Sequence, residues 1–354
     1  KFKSLISLFS LFLIFFVSSR YFQRIIFDRD LSNTIFHRLI NKNCKPKSNS
    51  LLGYYENTDE RVLFILLDGF PQKSYYENLV NSESDLHNYL LQNSFEYKNL
   101  TTPIPFTYKS LPYLLGRINV EEECRFPFLS GFLKPNIILA SQWIYSTQSI
   151  CKDYLWYKDP NRLRKIFTYI KYKISKKSDK EYGKYLPDKC FLSSPKISSK
   201  IIKKIQDNFE NSKKISFIAE SKFHDVVDPN LSKKKVDLTS FVIFDELYYQ
   251  SIFEILNKLK EKKLVDEVII FSDHGPRTQI YGSVEFNNIE SIKDKLLDKS
   301  LLDKDYYGIF ISRFVISKEN NKFIKNKIFD ALIPRNVDRY IQDEKGKALF
   351  IKSF

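Results

Sequence analysis

Three short stretches carry residues that could do chemistry together. Val62–Gly69, VLFILLDG, is an unbroken apolar run that ends in Asp68 and a glycine. Val268–Gly275, VIIFSDHG, repeats the design and ends in Asp273 and His274. Between them, Leu100–Gly116, LTTPIPFTYKSLPYLLG, brings two prolines and then Thr107 ahead of an apolar-spaced segment. Two carboxylates and an imidazole suit Zn²⁺, and Mn²⁺ is also reasonable. Ca²⁺ and Mg²⁺ stay open. A hydroxyl bound to such an ion gives up its proton readily and becomes a nucleophile. That is a device for attacking a phosphate or sulfate ester.

The chemistry requires elements that hold these groups at one place. Short apolar runs read as buried strands of a parallel sheet. In open α/β sheets, ligands bind beyond the carboxyl ends of the strands, where Asp68 and the Asp273–His274 pair fall. Thr107 stands where a loop passes into a helix, and the N–H groups and dipole of that first turn favour an anion. Each residue also has a plainer reading: Asp68 as a strand-end cap, Thr107 as an ordinary N-cap residue. Ser110 is the alternative nucleophile.

The remaining chain fills in an α/β pattern. Lys73–Gln92 has helical spacing. Asn136–Ser141 and Ile215–Ala219 read as strands, the latter followed by Glu220 and His224. Thr239–Lys263 is an amphipathic helix with Phe241, Phe244, Leu247, Tyr248, Ile252, Ile255 and Leu259 on one face. Tyr307–Ser312 reads as a late strand, and the tail after Lys318 as a helix with an irregular end. Arg162–Ser175 reads as a basic helix in the least legible part of the chain, Glu121–Lys200.

Composition bounds the classes. The 354 residues are 43% hydrophobic, enough for a sizeable core. The net charge of +15 comes mostly from scattered lysines without a nucleic-acid motif, so no nucleic-acid partner is expected. Cys44, Cys124, Cys151 and Cys190 form no CxxC pair, which argues against a zinc ribbon. In an exported domain they allow one or two disulfides; the plainer reading is free buried thiols. Leu5–Val17 is an apolar run broken by serines, flanked by lysines before and Arg20 and Arg24 after. It is short against the roughly 20 residues of a full span and fits a signal peptide or a short single anchor. Either would put the remainder across a membrane. Asn41–Ser50 is polar and linker-like.

VLFILLDG, PFTYKSLPYLLG and IIFSDHG, in that order, resemble the alkaline phosphatase superfamily. The closest branch is the sulfatase-like hydrolases and transferases, including phosphodiesterases and phosphoethanolamine and phosphoglycerol transferases. The resemblance covers roughly Arg61–Phe314. It implies a three-layer α/β fold, alkaline phosphatase-like, with a mostly parallel sheet flanked by helices. It implies one metal held by Asp68, Thr107, Asp273 and His274, with Thr107 as nucleophile. Two-metal members add an Asp/His pair and a late histidine. Glu220 and His224 are placed for the former, but no histidine follows His274. One well-formed metal site is therefore expected, with His224 as a substrate-phosphate contact, an acid for the leaving group or a weak second-site ligand. Arg277 and Lys109, beside the motifs, are candidates for a substrate anion; His37 and His87 read as structural or solvated. Sulfatases proper need Cys or Ser followed by x-Pro-x-Arg, and Ser110-Leu111-Pro112-Tyr113-Leu114 lacks the arginine.

The expected layout is a signal anchor or signal peptide over 1–26, a linker over 27–60, the catalytic domain over 61–320 and an extension of it over 321–354. The expected enzyme is a metal-dependent hydrolase or transferase of phosphate or sulfate esters. It would sit at the cell membrane by a single anchor, with its catalytic domain on the extracytoplasmic side. The substrate would be a lipid or glycan ester, and the acceptor a second such group or water. A degenerate member acting as a binding module is the rival from another class. Nothing in the sequence bears on oligomeric state.

Overall fold

The computed structural model describes residues 44–121, 136–139, 197–211, 213–227, 238–278, 300–316, 322–334, 338–342 and 348–352, with Leu133 and Leu192. The expectations for residues 1–26, for Arg162–Ser175, for His37 and for Cys124, Cys151 and Cys190 lie outside them. Cys44 is buried and disulfide-bonded. Lys45–Phe354 forms one compact unit.

In chain order its elements begin with α1 (Leu51–Asn57), β1 (Val62–Leu67), α2 (Lys73–Val80), α3 (Asp85–Gln92), β2 (Glu96–Thr101) and α4 (Thr107–Gly116). There follow β3 (Ile137–Leu139), α5 (Ile197–Glu210), β4 (Ile215–Glu220), α6 (Lys222–Val227), α7 (Leu238–Lys262) and β5 (Glu267–Phe271). The unit ends with α8 (Ser300–Tyr307), β6 (Gly308–Val315), α9 (Lys322–Leu332), β7 (Arg339–Gln342) and β8 (Ala348–Lys352).

The sheet runs β2-β6-β5-β1-β4-β3. β3, β4, β1 and β5 are parallel; β6 turns antiparallel to β5 and pairs antiparallel with β2. The fold is thus α/β with a mostly parallel sheet, as the sequence suggests. β1 lies inside, covered on both faces, which is why all six of its residues are apolar and buried. Leu63, Ile65 and Leu67 join the main core with residues of α3, α5 and α7, such as Leu90, Ile205 and Ile252. Phe64, on the opposite face, packs edge-on against Tyr55 of α1 at 5.8 Å. Helices on both faces make three layers. β4 and β5 flank β1 on either side, so the connection through α7 passes over β1. Register places Leu67 opposite Glu220 and Leu66 opposite Phe271, so the three strands end at the same level.

One buried ion pair braces the opposite end of β5. Arg313 donates to both carboxylate oxygens of Glu267, at 2.9 and 2.8 Å, and the Tyr55 hydroxyl also donates to Glu267.

Four local expectations change. Lys73–Gln92 is two helices, because Asn81 adopts the left-handed conformation (φ 57°) and Ser84 starts a new helix by accepting from His87 N–H. Residues from Lys45 on, read as linker, belong to the compact unit. Ser50 caps α1 by accepting from Gly53 N–H at 3.1 Å, and Leu51, Leu52 and Tyr55 are buried. β2, whose last two residues open the stretch read as a loop before Thr107, is a half-buried strand at the sheet edge. The tail does not end irregularly: β7 and β8 pair antiparallel, and Tyr340 packs on Ile104 and Val120.

Candidate metal centre

Each motif residue owes its place to local structure. Asp68 follows the last residue of β1, and its N–H donates to the Glu220 carbonyl at 2.8 Å, which continues the ladder one residue beyond the strand. Gly69 then turns the chain at φ 69° and donates its N–H to Asp273 Oδ1 at 3.4 Å. Any side chain there would collide with His224, since a Cβ would stand 2.8 Å from His224 Cδ2. Gly275 is required for a different reason. A Cβ would lie 2.2 Å from the Asp305 carbonyl oxygen, in α8, against which the chain packs after His274. Thr107 is the first residue of α4, as its position after Pro103 and Pro105 suggests.

These placements bring the predicted residues together. Thr107 Oγ1 donates to Asp68 Oδ1 at 3.4 Å and stands 3.4 Å from His274 Nε2. His274 Nε2 lies 3.2 Å from Asp68 Oδ1 and 3.7 Å from Asp273 Oδ2. His274 Nδ1 is 2.7 Å from the Gly275 carbonyl oxygen, a contact that puts the proton on Nδ1 and leaves the Nε2 lone pair for the site. His224, on α6, sets its ring edge-on to that of His274 at 5.0 Å. Asp68, His224 and His274 each offer a ligand atom, all within 4.8 Å of one another, and all three residues are buried. One carboxylate and two imidazoles gathered without solvent suit a borderline ion such as Zn²⁺. Asp273 lies beside this group, bonded to Gly69 N–H, with Ser110 Oγ at 3.5 Å.

The electrostatics match that donor set. Burial would raise the Asp68 pKa, but His224, His274 and Arg277 outweigh it and hold the carboxyl at about 2. Burial pushes Asp273 up to about 6, and the charge of Asp68 adds to the rise. For His274, burial favours the neutral ring, yet the carboxylates of Asp273 and Asp68 carry its pKa upward. The pocket thus concentrates negative charge that a cation would balance.

Other candidates fall elsewhere. Ser110 is fully buried, whereas Thr107 is half-exposed. The Glu220 carboxylate accepts the Leu192 N–H at 2.7 Å and is not among the grouped ligands. Lys109 is buried and donates from Nζ to the Val120 carbonyl at 2.7 Å. His87 is a core residue between the Pro71 carbonyl (2.9 Å) and the Tyr97 hydroxyl (3.1 Å), and burial drops its pKa to about 3. Asp305 is a residue that sequence reasoning missed. Its carboxylate accepts from Thr278 N–H and Oγ1, both at 2.9 Å, and its carbonyl from Arg277 N–H at 2.9 Å. No local pattern in Lys304-Asp305-Tyr306 signals that role.

Among the described residues no helix is long and apolar enough to cross a membrane. No family model matches the chain. Among curated proteins it is similar to Protein Ycf2 of Physcomitrium patens, 27% identical over 342 aligned residues, 90% of this chain but 13% of that protein's length. Among solved structures it is similar to the lipoteichoic acid synthase LtaP from Listeria monocytogenes, at 14% identity over 80% of this chain and 72% of that one, with a TM-score of 0.38. It is also similar to the C-terminal periplasmic domain of EcEptC from Escherichia coli in complex with Zn, at 10% identity over 83% of this chain and 93% of that one, with a TM-score of 0.44.

Proposed function

We propose that the chain is a metal-dependent enzyme that hydrolyses or transfers phosphate-type esters through Thr107. One observation carries the reading: the Thr107 hydroxyl stands 3.4 Å from both Asp68 Oδ1 and His274 Nε2 at the start of a helix. Asp68, Asp273 and His274 would hold the ion, with the Thr107 hydroxyl against it. A bound Zn²⁺ or Mn²⁺ would make the Thr107 hydroxyl more acidic and offset the charge of the ester.

The chain's own residues would do the rest. Thr107 Oγ1 attacks phosphorus and the ester oxygen leaves, so the phosphoryl group rests on the threonine until water or a second hydroxyl takes it. The N–H of Thr107, at the start of α4, binds a non-bridging oxygen, with the helix dipole behind it. His224 contacts the phosphoryl group beside His274. His274 keeps its orientation through the Gly275 carbonyl, and Asp68 stays ionised across the physiological range. Residues 1–26 would anchor the enzyme at the cell membrane with this domain on the extracytoplasmic side. Lipid or glycan esters there fit the substrate class.

A chromogenic phosphodiester tests the reading. The full chain loaded with Zn²⁺ or Mn²⁺ should turn it over, Thr107→Ala should remove activity, and Ser110→Ala should retain it. Full activity in Thr107→Ala would sink the threonine route.

A further inference from the structure

Arg277 lies three residues past His274 in a conformation that L side chains seldom adopt, φ 55°. The fold holds it there: its N–H donates to the Asp305 carbonyl, and the next residue, Thr278, is fixed by the Asp305 carboxylate and by the Tyr75 hydroxyl at 2.9 Å. The side chain spans two parts of the site. Nη1 donates to the Pro105 carbonyl at 3.1 Å, and the guanidinium lies over the Phe106 ring at 5.5 Å. Nη2 donates to His224 Nε2. Phe106 is the N-cap of α4, so the cation is fixed between the residue that precedes Thr107 and the imidazole beside His274. It is half-buried, and its charge is felt at both Asp68 and His274. Lys109, the other cation of these motifs, is occupied at Val120.

We infer that Arg277 is the specificity-determining cation of this site: its guanidinium binds a non-bridging oxygen of a phosphate-type anion held between the start of α4 and His224. The inference rests on the reading proposed above. A guanidinium suits this task because it is planar, always charged, weakly hydrated and able to donate to two oxygens at once. Its bonds to Pro105 and His224 fix the guanidinium beside the start of α4 before an anion arrives. The left-handed backbone at Arg277 and the closed packing at Gly275 serve the same end, since both set where the side chain leaves the loop.

The test is titration of the zinc-loaded full chain with inorganic phosphate by calorimetry, beside a zinc count on the same samples. Arg277→Ala should keep its zinc and bind phosphate on the order of 10–100-fold more weakly. Arg277→Lys, which keeps the charge without the fork, should fall between the two. Zinc retained with an unchanged phosphate Kd in Arg277→Ala overturns the role of the arginine and leaves the metal reading standing. A wild-type chain that binds no zinc overturns that reading together with the inference built on it.

Discussion

Replacing Gly69 with alanine tests the site from beneath, without removing a ligand. Gly69 follows Asp68 at φ 69°, and a Cβ there would stand 2.8 Å from His224 Cδ2, 3.3 Å from its Cβ and 3.4 Å from its Cγ. Carbon atoms rest about 3.5–4.0 Å apart, so the shortest contact demands a retreat of roughly 1 Å. A left-handed L residue adds roughly 1–2 kcal/mol of strain. The His224 ring is the part able to give way, because a backbone shift would displace Asp68 and the Gly69 N–H bond to Asp273. Unfolding in urea should therefore show a loss of about 1–2 kcal/mol. A misplacement of about 1 Å in a reacting constellation costs on the order of 100-fold in rate. The kcat/KM for a chromogenic phosphodiester should fall by that order while Asp68 and His274 remain in place. A variant with the stability loss but wild-type kinetics would refute the role of His224. No stability loss at all would refute the steric argument.

Two further outcomes follow from the packing. Glu267→Ala takes the bidentate partner from Arg313, buried at 3% exposure, and leaves it the Glu96 carboxylate at 3.7 Å; it should cost about 3–5 kcal/mol in urea unfolding, and combining Glu267→Leu with Arg313→Met and Tyr55→Phe, which removes both groups that bond Glu267, should recover most of it. Asp245 accepts from Ser84 Oγ and from the N–H groups of Asp85 and Leu86, yet burial pushes its pKa to about 6. The folded state then binds its proton more tightly than the unfolded chain, so this group's contribution to stability falls as pH rises from about 4 to about 6 and is level above. Asp245→Asn should flatten that slope in urea midpoints taken across the interval, and an unchanged slope would exclude Asp245 as its source.

The legible parts of the chain are those whose pattern comes from a single cause. β1, and β5 from Val268 on, are continuous apolar runs because both faces are covered, so the run itself marks the strand and the next charge marks its end. Thr107 is legible because Pro103 and Pro105 stop any earlier helix. β2 was hidden because a half-buried edge strand, EYKNLT, has the composition of a loop. α1 and the β7–β8 pair were hidden because their order comes from distant partners: Tyr55 on Phe64 and Glu267, Tyr340 on Ile104 and Val120. The same holds at the site. Asp68, Asp273 and His274 announce themselves at strand ends. His224 becomes a neighbour of His274 through the turn at Gly69 and the short helix α6, and Asp305 acts through a carboxylate and a carbonyl that reach Thr278 and Arg277 across the fold, which leaves no sequence pattern.

The metal count tests the central claim most directly. The purified full chain, stripped by chelator and reloaded with Zn²⁺ or Mn²⁺, should hold one ion by mass spectrometry of the metal. Asp68→Asn and His274→Ala should lose it, and Ser110→Ala, which alters a neighbour without removing a ligand, should keep it. A wild-type chain that holds no ion, or a His274→Ala chain that holds it as firmly as wild type, would contradict the account.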